Sequence, residues 1–211
     1  MLANDKNCQF IFTAHHLDDQ LETLFMKKID QSDWISQIGI REKLGKVRRP
    51  LLDIDKDTIR KYAVKKRLNW IEDPTNQDIS IRRNEIRKLT LPSAIKANPQ
   101  LPQELLETAL ANKFRFQSVL TNYSKNKKYL IKKSSSQFLS IFLERINELK
   151  LEELKIFIYW CAKSYFGKTI SQYNGGFWSE FKQFIQSSKT GSVFEIGHVT
   201  FIKNRDELII I

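Results

Sequence analysis

At 211 residues, with 41% hydrophobic and 28% charged side chains, the chain is long enough for one domain or two small ones and has a globular composition. That excludes a mini-protein stapled by disulfides, and with no run of about eighteen apolar residues the sequence holds no membrane-spanning helix. Thirty-five basic against 24 acidic side chains leave +11, which favours a polyanionic partner, nucleic acid first, over a neutral metabolite.

Residues 9 to 14, Gln-Phe-Ile-Phe-Thr-Ala, read as a buried parallel strand. His15, His16, Asp18 and Asp19 follow at once, then Leu21, Leu24, Phe25 and Ile29 at helical spacing. The polar cluster therefore stands at the C-terminal end of a strand, where open α/β sheets bind their ligands. Asp55 is placed to cap a helix through Ile59, Tyr62, Ala63 and Leu68, and a further helix is expected over 79–89, ended by Pro92. The break at Asn98-Pro99-Gln100-Leu101-Pro102 marks a change of character. A boundary at residue 92 gives one domain over 1–92 and a second, mostly helical, over 93–211. Helices are expected over 105–123, 138–149, 151–166 and 177–187, with a terminal hairpin turning at Gly197-His198. Cys8 and Cys161 lie far apart in apolar surroundings, with no Cys-x-x-Cys pair. They read as two buried thiols in a reducing compartment, and with no signal-peptide pattern at the start a cytoplasmic location is expected.

His15-His16-x-Asp18-Asp19-x-x-Glu22 packs five groups able to move a proton or bind a metal into eight residues at a strand-to-helix junction. A carboxylate there can hold Mg²⁺ against phosphate oxygens, and the first helical amides can accept anionic oxygens. Alternatively Asp18 or Asp19 caps the helix, Glu22 serves its first turn and a histidine packs on the sheet. Arg48-Arg49-Pro50 offers a phosphate clamp. Arg83 and Arg87, four apart on a helix, share a face. Lys125, Lys127, Lys128, Lys132 and Lys133, interleaved with Tyr123 and Tyr129, suit RNA phosphates with some base stacking, or else form a solvated loop between helices.

Taken in order, Thr13-Ala14-His15-His16-Leu17-Asp18-Asp19-Gln20-x-Glu22-Thr23, Arg49-Pro50-Leu51-Leu52, Glu72-Asp73-Pro74-Thr75-Asn76 and Arg83-Asn84-x-Ile86-Arg87 resemble the tRNA(Ile)-lysidine synthetase family, strongly over residues 9–92. The resemblance implies an α/β fold. Its first part would belong to an adenine-nucleotide α hydrolase-like parallel-sheet domain of the PP-loop type, followed by a mostly helical tRNA-binding domain ending in a β-hairpin. It implies a reaction in which ATP, with Mg²⁺, adenylates the wobble cytidine of tRNA(Ile) and the amine of L-lysine displaces AMP. On the matched positions Asp19 would serve Mg²⁺ and the reacting phosphate with Asp18 in support, and His15 and His16 would shape the nucleotide pocket. Arg83 would stabilise charge on the adenylyl group beside Asn84 and Arg87, Arg87 would also contact RNA, and Arg49 would be a phosphate contact.

The family's Ser-Gly-Gly-x-Asp-Ser loop, which wraps the ATP phosphates, is absent; the one Gly-Gly, Gly175-Gly176, is followed by Phe177-Trp178-Ser179. The expectation is an N-terminally truncated synthetase, inactive by itself, that self-associates or takes its missing half from another polypeptide. A non-catalytic RNA-binding module or partner subunit is the alternative. A two-metal phosphoesterase is the remaining enzyme reading, but His198 is the only other histidine.

Overall fold

A computed structural model describes residues 8–135, 137–167 and 175–211, with the side chains of Asn126 and Lys127 outside the description. The chain forms two compact units, Met1–Lys113 and Phe114–Ile211.

In the first unit, β1 (Ile11–Phe12) pairs in parallel with β3 (Val47–Arg48), and β2 (Lys43–Leu44) lies antiparallel on the other side of β3. The expected buried strand over 9–14 is corrected on two points. Only Ile11 and Phe12 have strand geometry, and Phe10, Ile11 and Phe12 are 47%, 38% and 68% exposed, because no described element covers either face of so short a strand. Helix α1 (Leu17–Ile29) follows and turns Leu24 and Phe25 into the core. Gly39 closes the next loop at φ +74°; a Cβ there would fall 2.7 Å from the Gln20 carboxamide, so only glycine fits. Helix α2 (Lys56–Lys65) starts at Asp55, whose carboxylate accepts the Thr58 N–H at 2.7 Å, as its position in the sequence predicts.

The helix expected over 79–89 begins at Arg82 and does not stop at Pro92. Helix α3 (Arg82–Glu85) continues as a π turn (Ile86–Thr90) and then as α4 (Leu91–Ala97), with Pro92 in the first turn of α4. Proline removes the N–H that an unbroken α-helix would need there, and the wider turn takes up the fault, closing on the Leu91 N–H to Ile86 C=O bond. Helix α5 (Leu101–Leu130) starts in this unit, where Leu101, Leu105 and Ala109 pack with Leu24, Phe25, Ile86 and Leu91.

The second unit is built on a five-stranded antiparallel sheet, β4 (Ile131–Ser134), β5 (Leu139–Phe142), β8 (Glu207–Ile210), β7 (Val199–Lys203) and β6 (Val193–Ile196) in spatial order. The expected hairpin at 197–198 is the β6–β7 pair, but it is part of this larger sheet and the segment after 199 makes two strands. The helix expected over 138–149 is half strand. Leu139 and Ile141 alternate into the core and pair with β8, and only α6 (Leu143–Asn147) is helical. Helices α7 (Leu151–Phe166) and α8 (Gly175–Ser187) pack against each other. Fully buried Phe157, Trp178, Phe181 and Phe201 fill this core, with Phe181 and Phe201 edge to face at 4.8 Å.

Candidate functional site

The polar cluster lies where β1 runs into α1. His16 is the N-cap residue, and its extended backbone stops the helix from starting earlier. Its ring nitrogen Nδ1 accepts the Asp19 N–H at 3.4 Å while the Asp19 carboxylate accepts the His16 N–H at 3.0 Å, a reciprocal capping box. Asp18, free of that duty, accepts the Lys56 N–H at 2.8 Å and so ties the start of α1 to the start of α2. His15 Nδ1 meets the Thr13 hydroxyl at 2.9 Å.

Two arginines from α3 and the π turn close over α1. Arg83 donates from Nε to Glu22 at 3.0 Å and from Nη2 to Asp19 at 3.1 Å. Arg87 donates from Nε and Nη2 to the two Glu22 oxygens at 2.5 and 3.0 Å and from Nη2 to Asp19 at 3.3 Å. Glu22 is only 2% exposed, whereas the Arg83 side chain keeps 41% of its surface in solvent. The buried carboxylate thus aims two guanidiniums, each with a free edge outward. The hydrogen bond to Glu22 holds Arg87 more firmly protonated than an ordinary arginine, against the opposing effect of burial.

Asn84, 6% exposed, points away from the arginines. Its amide donates to the carbonyls of Thr75 and Asp78 at 2.8 and 2.9 Å, pinning the 3₁₀ turn Pro74–Gln77 that Asp73 caps. Arg49 is held elsewhere: its Nη1 donates to the Arg41 carbonyl at 2.6 Å, and its buried Nε has no partner among the described residues.

The structure therefore brings together Asp19, Arg83 and Arg87 of the sequence-derived candidates with Glu22, a member of the polar cluster to which the resemblance gave no role of its own. The signal for Glu22 was its spacing. It lies three residues after Asp19, on the same face of α1, as Arg83 and Arg87 share a face four residues apart. Both Asp19 oxygens already accept hydrogen bonds, and among the described residues no three His, Cys, Asp or Glu side chains are gathered to hold a metal ion. The set does not fit a protein-held Mg²⁺.

The lysine-rich stretch belongs to the second unit and is not one surface loop. Lys125 and Lys128 are exposed on the last turns of α5, Lys133 is exposed on β4, and the side chain of Lys127 lies outside the described residues. Lys132 is already paired, with Asp206 at 2.6 Å and Glu207 at 3.6 Å. Tyr123 is not available for stacking: it is 8% exposed, and its hydroxyl donates to the Glu153 carbonyl at 2.9 Å. Tyr129 is 53% exposed, and Arg145 lies 4.8 Å from its ring centroid. Among the described residues no helix is long and apolar enough to cross a membrane.

The strand-to-helix junction thus carries a capped polar cluster with an arginine pair closing over it. Residues 1–94 match the family model described as PP-loop domain. Within that class, the similarity is to tRNA(Ile)-lysidine synthases. The chain is 38% identical to that of Lactiplantibacillus plantarum over 120 residues, 52% of this chain and 27% of the relative. It is 36% identical to that of Enterococcus faecalis over 110 residues, 50% of this chain and 23% of the relative. The Thermus thermophilus enzyme is 36% identical over 110 residues, 52% of this chain and 21% of the relative. The matching stretch thus spans about a quarter of the length of these curated relatives.

Proposed function

We propose that this chain serves ATP-dependent tRNA modification as part of a tRNA(Ile)-lysidine synthetase, joining L-lysine to the wobble cytidine of tRNA(Ile) through an adenylated intermediate. The observation that carries the reading is the quartet of Asp19, Glu22, Arg83 and Arg87 in a segment that matches a PP-loop domain. Arg83, half in solvent beside Asp19, would meet negative charge on the adenylyl group, with Glu22 and Asp19 fixing its direction. His15, His16 and Asp18 would border the nucleotide at the end of β1. Placement and electrostatics would carry the catalysis, because the nucleophile is the amine of the lysine substrate itself. Mg²⁺ would be held mainly by substrate phosphates and water, as Asp19 is already engaged. Lys125, Lys128 and Lys133, exposed in the second unit, would contact tRNA phosphates.

The 211 residues contain no Ser-Gly-Gly-x-Asp-Ser loop, so the chain alone is expected to be inactive. The uncovered apolar residues of β1 support association with a second copy or with a polypeptide that supplies such a loop. The test is ATP-dependent transfer of radiolabelled lysine to tRNA(Ile), by the chain alone and with a polypeptide bearing that loop. Transfer only in the mixture, lost with Arg83→Ala, supports the reading. Salt-sensitive tRNA binding with no transfer in either arm supports a non-catalytic RNA-binding module instead.

A further inference from the structure

Helix α2 and the turn after it carry six basic side chains between Lys56 and Arg67 against one acidic, Asp57. The nearby carboxylates are engaged internally. Asp55 caps the helix, Asp57 pairs with Lys61 at 2.6 Å and Glu72 pairs with Arg60 at 2.6 Å. Lys65, Lys66 and Arg67 have no carboxylate partner among the described residues. No residue of α2 is buried, and Tyr62 and Trp70 are 59% and 52% exposed, with Lys66 Nζ 5.9 Å from the centre of the Tyr62 ring.

Arg67 adds an independent observation. The helix closes with the Arg67 N–H on the Val64 carbonyl at 3.0 Å and the Leu68 N–H on the Ala63 carbonyl at 2.9 Å. That closure puts Arg67 at φ +53°, in the left-handed region where glycine is the unstrained choice. The guanidinium gains no described hydrogen bond in return, so the strain is not explained by contacts within the chain.

We propose that Lys65, Lys66 and Arg67, with Tyr62 and Trp70, form a docking surface for RNA, in which the cations meet phosphates and the rings stack unpaired bases. The inference rests on the RNA-substrate reading above and adds a contact surface in the first unit, carried by residues other than the second unit's lysines. Charge selects a polyanion here, since these three cations have no carboxylate partner among the described residues, and the exposed rings of Tyr62 and Trp70 select stacked bases over an acidic polypeptide.

Binding of the full chain to a tRNA(Ile) transcript and to a short polyuridylate, measured across a salt series, tests it. Lys65→Ala/Lys66→Ala is expected to weaken both RNAs about tenfold at low salt and to reduce the salt slope by about two. Arg67→Gly should reduce the slope by about one while leaving the melting temperature equal or higher, which a merely structural arginine would not do. Trp70→Ala should weaken polyuridylate. Unchanged slopes in these variants overturn the proposal, as does a polyglutamate peptide that binds more tightly than polyuridylate. If Lys125→Ala/Lys128→Ala weakens tRNA while the α2 variants do not, only this surface is lost. If the parent binds no RNA, the substrate reading falls with it.

Discussion

Replacing Glu22 with glutamine tests whether one buried carboxylate organises the site. It accepts from Arg83 Nε at 3.0 Å and from Arg87 at 2.5 and 3.0 Å while 2% exposed. Removing one member of a fully buried ion pair costs about 3–5 kcal/mol, because the other charge is left uncompensated. Here the arginine side chains are 41% and 29% exposed, so water offsets part of that loss and about 2 kcal/mol is expected. In a unit of this size that corresponds to a fall of about 8 °C in melting temperature. Circular dichroism during heating and in urea at neutral pH reads it. Glu42→Gln is the control, since that carboxylate is exposed and 3.9 Å from Lys43; it should change stability by less than about 0.5 kcal/mol. If Glu22→Gln moves the transition no more than this control, the quartet is a solvated surface network and does not hold the site.

Asn84→Ala should cost about 2 kcal/mol and remove hydrogen-exchange protection from the Pro74–Gln77 turn, since two carbonyls lose their donor; retained protection would show that the turn stands by itself. Tyr123→Phe should cost about 1 kcal/mol in urea unfolding through loss of its bond to the Glu153 carbonyl. Glu207 is held below the ordinary value of 4.5, chiefly by the hydrogen bond from Ser140. A lowered carboxylate stabilises the fold fully above its unfolded pKa, and that contribution disappears as pH falls through the folded one. The second unit should therefore lose stability below about pH 4.5, and Glu207→Gln should flatten that part of the curve. Phe12→Lys should reduce any concentration-dependent association seen by light scattering, because a charge on an exposed strand edge opposes pairing.

Local chemistry was legible in the sequence where it alone decides the structure. The span of α7, the cap at Asp55 and the turn at Gly197-His198 all follow from neighbouring residues. What stayed hidden depends on partners distant in the chain. Lys132 is drawn to Asp206, 74 residues away, so a residue read as free for RNA is part of an ion pair. Glu22 meets Arg83 across 61 residues, and no helical wheel of α1 alone shows that. Residues 138–149 combine a two-residue period in Leu139 and Ile141 with helical spacing in Leu143 and Ile146, and pairing with β8 decides for the strand. Asp19 and Arg83 stand in separate motifs 64 residues apart, and only the fold brings them to 3.1 Å.

The π turn between α3 and α4 also sets a phase. An α-helix advances about 100° per residue, so one residue more or fewer rotates everything beyond it by that angle. Arg83 ahead of the turn and Arg87 near its start face Glu22; beyond it, Leu91 faces the Leu24–Leu105 core. Shortening the turn by one residue would swing one of these two faces out of alignment, so that the chain would have to surrender either its arginine pair or its hydrophobic anchor.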